Sequence, residues 1–127
     1  MSDLIARLEA ATEGSRELDY KIALTQGWTL QKMKGDRKPY WREPGETQYY
    51  MRSTYGPPHY TTSLDDAMTL VPEGCDVDLQ TRKRYCSIYR WDDSRGYGVP
   101  LGSTCDAETP VLALCIAALK AREATND

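Results

Sequence analysis

The sequence predicts a single mixed α+β domain in which a mostly antiparallel sheet is flanked by helices. Three observations predict it. Residues 109–124 combine a helix-start signal, nine consecutive apolar residues at 111–119 and a charged last turn. Helix signals also open the chain and recur near its middle, whereas residues 28–60 turn to aromatics, threonine, glycine and proline. Between the middle and final helical stretches lie runs with the period of two that half-buried strands require. A chain of 127 residues suits one domain that buries roughly two-thirds of its unfolded surface.

Ser2 can cap a first helix running to about Thr12, with Leu4, Ile5, Leu8 and Ala11 along one face. Glu13-Gly14 ends it. Ser15 offers a second cap, Glu17 and Asp19 suit the positive end of that helix, and Leu18, Ile22 and Ala23 face inward. Gly27 then closes it in the left-handed conformation. Neither helix would persist alone at this length, so both must dock on something.

Trp28-Thr-Leu-Gln-Lys-Met33 alternates large and polar side chains. Pro39-Tyr-Trp-Arg42 and Thr47-Gln-Tyr-Tyr-Met-Arg52 are β-compatible runs separated by the turn signal Glu43-Pro-Gly-Glu46, which together predict a small antiparallel meander. Gly56-Pro-Pro-His59 is stiff and extended. Ser63 caps the next helix, with Asp65 and Asp66 in its first turn and Leu64, Ala67, Met68, Leu70 and Val71 supplying its apolar side. Pro72 stops it.

Asp76-Val-Asp-Leu-Gln80 and Tyr85-Cys-Ser-Ile-Tyr-Arg-Trp91 read as two strands joined by the basic turn Thr81-Arg-Lys-Arg84. Val77 and Leu79 share one face, with Cys86, Ile88 and Arg90 on opposite sides of the following strand. Asp92-Asp-Ser-Arg-Gly96 is a loop, and residues 97–104 form either an edge strand or an extended connection, since Pro100 is tolerated only at an edge. In the final helix Thr109 is the cap and Pro110 supplies a preset φ where its missing N–H costs nothing. Nine apolar residues are too few to cross a bilayer, and a surface helix would carry polar residues on its outer face. That helix must be covered on most sides, by a sheet and other helices or by a second subunit.

Composition excludes several functions. Sixteen basic against nineteen acidic residues give a net charge of -3, without the broad positive field a duplex-DNA binder needs. No membrane span or leader pattern is present in the sequence, and a cytoplasmic location is expected. Cys75, Cys86, Cys105 and Cys115 have no C-x-x-C spacing and are expected as reduced thiols. With His59 the single histidine, neither a metal centre nor a Cys/His nucleophile is expected, and no cofactor is implied. Asp65-Asp66 and Asp92-Asp93 are neighbours that do not face one another as an acid/base pair would. Ser63, Ser87 and Ser103 lack a nucleophile elbow, and the glycines at 96, 98 and 102 lack the strand-loop-helix setting of a phosphate cradle.

The candidate ligand-binding constellation is basic and aromatic: Arg82, Lys83, Arg84 and Tyr85 around one turn, then Arg90 and Trp91, with Tyr97 after the loop. Guanidinium groups hold phosphates through paired donors and aromatic faces stack on bases, so a small nucleotide-like ligand suits these residues. The competing reading is a solvated hairpin whose charges discourage sheet-to-sheet aggregation. Nine tyrosines and three tryptophans, with no phenylalanine, favour interfaces, and self-association is expected.

Three stretches in order, Leu4-Ile-Ala-Arg-Leu-Glu-Ala-Ala-Thr12 with Ser15-Arg-Glu-Leu-Asp19, then residues 60–74, then residues 109–122, together resemble the phage ABA-sandwich domain family of small phage and alphaproteobacterial proteins. The resemblance spans nearly the whole chain and is weakest over residues 28–56. It implies an α-β-α sandwich and brings no catalytic motif. The function it suggests is that of a non-enzymatic phage accessory protein in the host cytoplasm, capturing a nucleotide-like ligand or a host factor to counter host defence. The alternatives are a small hydrolase or nucleotide-processing enzyme using Asp65 or Asp92-Asp93 with Arg84, and a structural, virion-associated component.

Overall fold

A computed structural model describes residues 2–32, 34–35, 39–45 and 56–125. In chain order the elements are α1 (Ser2–Ala10), α2 (Arg16–Thr25), β1 (Thr29–Gln31), β2 (Tyr40–Arg42), α3 (Leu64–Met68), β3 (Asp76–Gln80), β4 (Tyr85–Asp92), β5 (Tyr97–Thr104) and α4 (Pro110–Thr125). The fold is mixed α+β: four helices, a two-stranded sheet β1-β2 and an open three-stranded sheet β3-β4-β5, both antiparallel.

Helix α4 is the core. Its start is built as the residues dictate, the Thr109 hydroxyl accepting a hydrogen bond from the Leu112 N–H at 3.1 Å. From Leu112 through Leu119, and again at Ala121, relative exposure is 0%. Strands β4 and β5 lie against it, and α1 and α3 pack on its other sides. The chain thus covers this helix by itself, and no second subunit is needed to bury it. Close packing on β5 depends on Gly102, where a Cβ would run into the Ala117 carbonyl oxygen and the Ala121 amide nitrogen. Near the other end of α4, the Arg122 guanidinium donates to the Leu70 carbonyl at 2.5 Å and to the Thr69 carbonyl at 3.3 Å, tying the end of α3 to α4.

The three-stranded sheet follows its alternation. Val77 lies opposite Ile88 and Leu79 opposite Cys86. Cys86 and Ile88, expected on opposite sides of the pleat, are both fully buried, because residues two apart point the same way. Arg90 is exposed. Residues 97–104 are a true strand at the sheet's edge, as Pro100 requires. Ile88 pairs with Gly102 and Tyr89 with Pro100, so Leu101 is the extra residue of a bulge.

The N-terminal half packs Leu4, Ile5 and Leu8 of α1 into the same core. Ser15 caps α2, its hydroxyl accepting from the Leu18 N–H at 3.2 Å, and Gly27 leaves it at φ +95°. Asp19 stands in the first turn of this helix, as expected, and is completely buried there. Its carboxylate accepts from the Thr61 N–H at 2.8 Å and the Thr61 hydroxyl at 2.6 Å, and pairs with Arg16 at 2.9 Å. Arg16 also donates to the carbonyls of Pro57 and Pro58, so one ion pair pins the stiff 56–59 segment to α2. Strands β1 and β2 pair as expected, and Trp41 stacks on Tyr20 with centroids 5.2 Å apart. The remaining run of the expected meander, residues 47–52, lies outside the described residues.

Helix α3 is a turn and a half long. The Ser63 hydroxyl accepts from the Asp66 N–H at 3.3 Å, and the Asp66 carboxylate accepts from the His59 N–H at 2.7 Å. Ala67 and Leu70 are buried, but Leu64 and Met68, expected on the apolar side, are exposed. One turn apart, they share a side rotated away from Ala67, which alone of the helix's five residues reaches full burial.

Candidate functional site

The tight connection between β3 and β4 holds three cations in succession, Arg82, Lys83 and Arg84. Arg84 adopts φ +52°, a left-handed conformation that a non-glycine residue reaches only at a cost, here to bring the chain back into β4. The strands set the floor beside the turn. Gln80 lies opposite Tyr85, and because Cys86 pairs with Thr104, Cys105 continues the same cross-strand row. Asp78 stands one step along that face, which is opposite to the one buried on α4. Together with Asp106 these groups enclose a groove of about 570 Å³.

Its electrostatics are unusual in that opposite charges surround one concavity without neutralising each other. Arg84 approaches Glu108 at 4.0 Å, with both side chains near half exposure, an arrangement worth little in water. Among the described residues Arg82, Lys83, Asp78 and Asp106 make no hydrogen bond or ion pair through their side chains.

Arg90 and Trp91 are elsewhere. They line a second groove of about 450 Å³ with Asp92, Asp93, Ser94, Val99 and Leu101. At about 3.3 Å per residue, Trp91 lies roughly 20 Å along β4 from Tyr85. Tyr97, paired in register with Asp92, lines neither groove, and it and Trp91 are 53% and 54% exposed. The six expected ligand-binding residues are therefore divided: Arg82, Arg84 and Tyr85 come together, while Arg90, Trp91 and Tyr97 gather near the other end of the strand. The groove at the turn gains Asp78, Gln80, Cys105 and Asp106. For Asp78 and Gln80 the signal was present, since they alternate with Val77 and Leu79; Cys105 and Asp106 depend on the register of β5, which the residues alone do not fix.

No family model, curated protein or solved structure matches this chain. Its site is therefore read from its own chemistry. None of Asp65, Asp92 and Asp93 lines the groove with Arg84. Asp92 closes its own turn, accepting from the Ser94 hydroxyl at 2.6 Å and N–H at 2.9 Å and pairing with Arg95 at 3.3 Å. The Ser94 hydroxyl above all holds that carboxyl below the usual aspartate value. Asp65 lies on α3, which packs on α4. Among the described residues no three of His, Cys, Asp and Glu gather to hold a metal ion, and no helix is long and apolar enough to cross a membrane.

The cysteines provide a native probe of the groove. All four are free. Burial pushes the Cys86 thiol up to about 12, and raises Cys115 as well, whose thiol donates to the Tyr60 carbonyl at 3.0 Å. Cys105 is exposed and Cys75 half-buried. With Ellman's reagent at pH 8 the native protein is expected to release one equivalent of thionitrobenzoate quickly, from Cys105, and a second slowly, from Cys75. The other two are expected only in denaturant. Four equally fast thiols would contradict this burial.

Proposed function

We propose that the protein is a non-enzymatic binding protein whose groove beside the β3–β4 turn takes a small phosphate-bearing, nucleotide-like ligand. The observation that carries this reading is the set of three adjacent cations, Arg82, Lys83 and Arg84, on the wall of one groove whose floor offers the Tyr85 ring. Guanidinium forks match phosphate oxygens in pairs, and the volume falls in the range of small-ligand sites. The phage ABA-sandwich resemblance supports placing that activity in a phage accessory protein acting in the host cytoplasm, where capture of a nucleotide-like signal would counter host defence.

Titration calorimetry with inorganic pyrophosphate in low salt tests the groove. Binding is expected, and Arg82→Ala with Arg84→Ala is expected to weaken it by about tenfold or more per lost charge-assisted contact. Pyrophosphate should also slow the labelling of Cys105 but not of Cys75. Absent binding, or binding that ignores both arginines, would defeat the proposal.

A second reading, capture of a host protein or of another copy of the chain, draws on exposed Trp91 and Tyr97 near one end of the sheet. It predicts that Trp91→Ala with Tyr97→Ala lowers the sedimenting mass or releases a co-purifying partner, leaving pyrophosphate binding intact.

A further inference from the structure

We infer that the groove reads a guanine-type base in preference to an adenine-type one, an inference that rests on the phosphate-binding reading of the same groove. The reason lies in its mixed charge. Asp78 and Asp106 line the concavity together with the three cations, and among the described residues neither carboxylate has a partner. A ligand that is anionic throughout gains from the cations but is repelled by the two carboxylates. Asp106 follows Cys105 on the row of Tyr85, near the turn, whereas Asp78 lies further along β3, so the groove suits a bipolar molecule with phosphate at the turn and N–H donors toward Asp78.

Among the common bases, guanine meets that requirement best. Its Watson–Crick edge presents N1–H and the N2 amino group side by side, two donors that one carboxylate accepts with its two oxygens. Adenine presents its amino group beside the N1 lone pair, and cytosine its amino group beside N3, so a carboxylate facing either edge gains one donor and meets one repelling acceptor. Uracil offers a single N–H between two carbonyls. The neighbouring Gln80 amide, which carries both donor and acceptor, suits the adjoining O6 of guanine, and the Tyr85 ring offers a stacking face. A volume of about 570 Å³ accommodates one nucleotide.

The test is calorimetry on the full chain with GMP, IMP and AMP, and with pyrophosphate as the base-free probe. GMP is expected to bind at least about tenfold more tightly than AMP, the equivalent of one good hydrogen bond, with IMP between them because it lacks the N2 amino group. In the Asp78→Asn, Asp106→Asn variant the GMP to AMP ratio is expected to fall toward one while pyrophosphate binding is kept or strengthened. Equal affinities for GMP and AMP in the wild-type protein would overturn base selection while leaving phosphate binding in place. A ratio that survives in the double variant would overturn the role of the carboxylates. Should the double variant not fold, the wild-type order GMP, IMP, AMP decides, and any other order counts against the inference. If neither the nucleotides nor pyrophosphate binds, the phosphate-binding reading itself fails.

Discussion

Replacing Gly102 with valine is expected to lower the unfolding midpoint by roughly 10 °C or more, from a loss of about 3 kcal/mol, the upper end of the cost of overpacking. Strand β5 passes so near α4 that a Cβ there would meet main-chain atoms of Ala117 and Ala121. A side chain can rotate away; a helix backbone cannot. Relief requires α4 to lift from the sheet, which exposes part of the apolar surface from Leu112 to Leu119 that the fold exists to hide. Gly98 supplies the control. The nearest atoms to a Cβ at that position belong to the side chain of Tyr89 and not to main chain, so Gly98→Ala is expected to lose less than Gly102→Val, about 1–2 kcal/mol. Thermal and urea denaturation followed by circular dichroism measure both. A Gly102→Val protein melting with the wild type would refute the close approach.

The second large effect is expected at Asp19. Its carboxylate is the acceptor for the Thr61 N–H, the Thr61 hydroxyl and the Arg16 guanidinium, and Asp19→Ala leaves these donors without it. Breaking a buried pair from one side costs about 3–5 kcal/mol. The Arg16 side chain is 32% exposed, so water takes up part of the loss and about 3 kcal/mol is the expected value. Asp19→Asn keeps one acceptor oxygen for Thr61 and should fall between the wild type and alanine. A double-mutant cycle with Thr61→Val separates the contacts, with a coupling of about 1–3 kcal/mol expected. Additive losses would mean that the two residues do not share one network. Gly14 belongs to the same arrangement, since a Cβ on it would strike the Thr61 carbonyl.

The contrast between Asp19 and Leu112 explains what the residues alone could reveal. The burial of α4 was legible because its signals are local: a cap, a proline, and an apolar run with no polar side. The caps at Ser15 and Ser63, the turn at Gly27 and the pairing of β3 with β4 are local in the same sense. The place of Asp19 in the first turn of α2 was equally local, but its burial was not, because that depends on Thr61, 42 residues away. Leu64 and Met68 were misplaced because a helix of five residues has too little length for its apolar side to be inferred from spacing. In the candidate site the cationic turn was visible as a run of three residues. Its separation from Arg90, Trp91 and Tyr97 was not, because nearness in sequence becomes distance when the chain is extended.

Helix α4 follows every other described element in the chain, yet it is the surface on which β4, β5, α1 and α3 converge. During synthesis those elements leave the ribosome before the partner they share. Until α4 emerges, Leu4, Leu8 and Ile88 lack the helix that completes their burial, so the nascent chain must wait for its centre. Completion of the core therefore waits on the emergence of residues 110–125, and a ribosome stalled before residue 110 would display a substrate for chaperones rather than a finished domain.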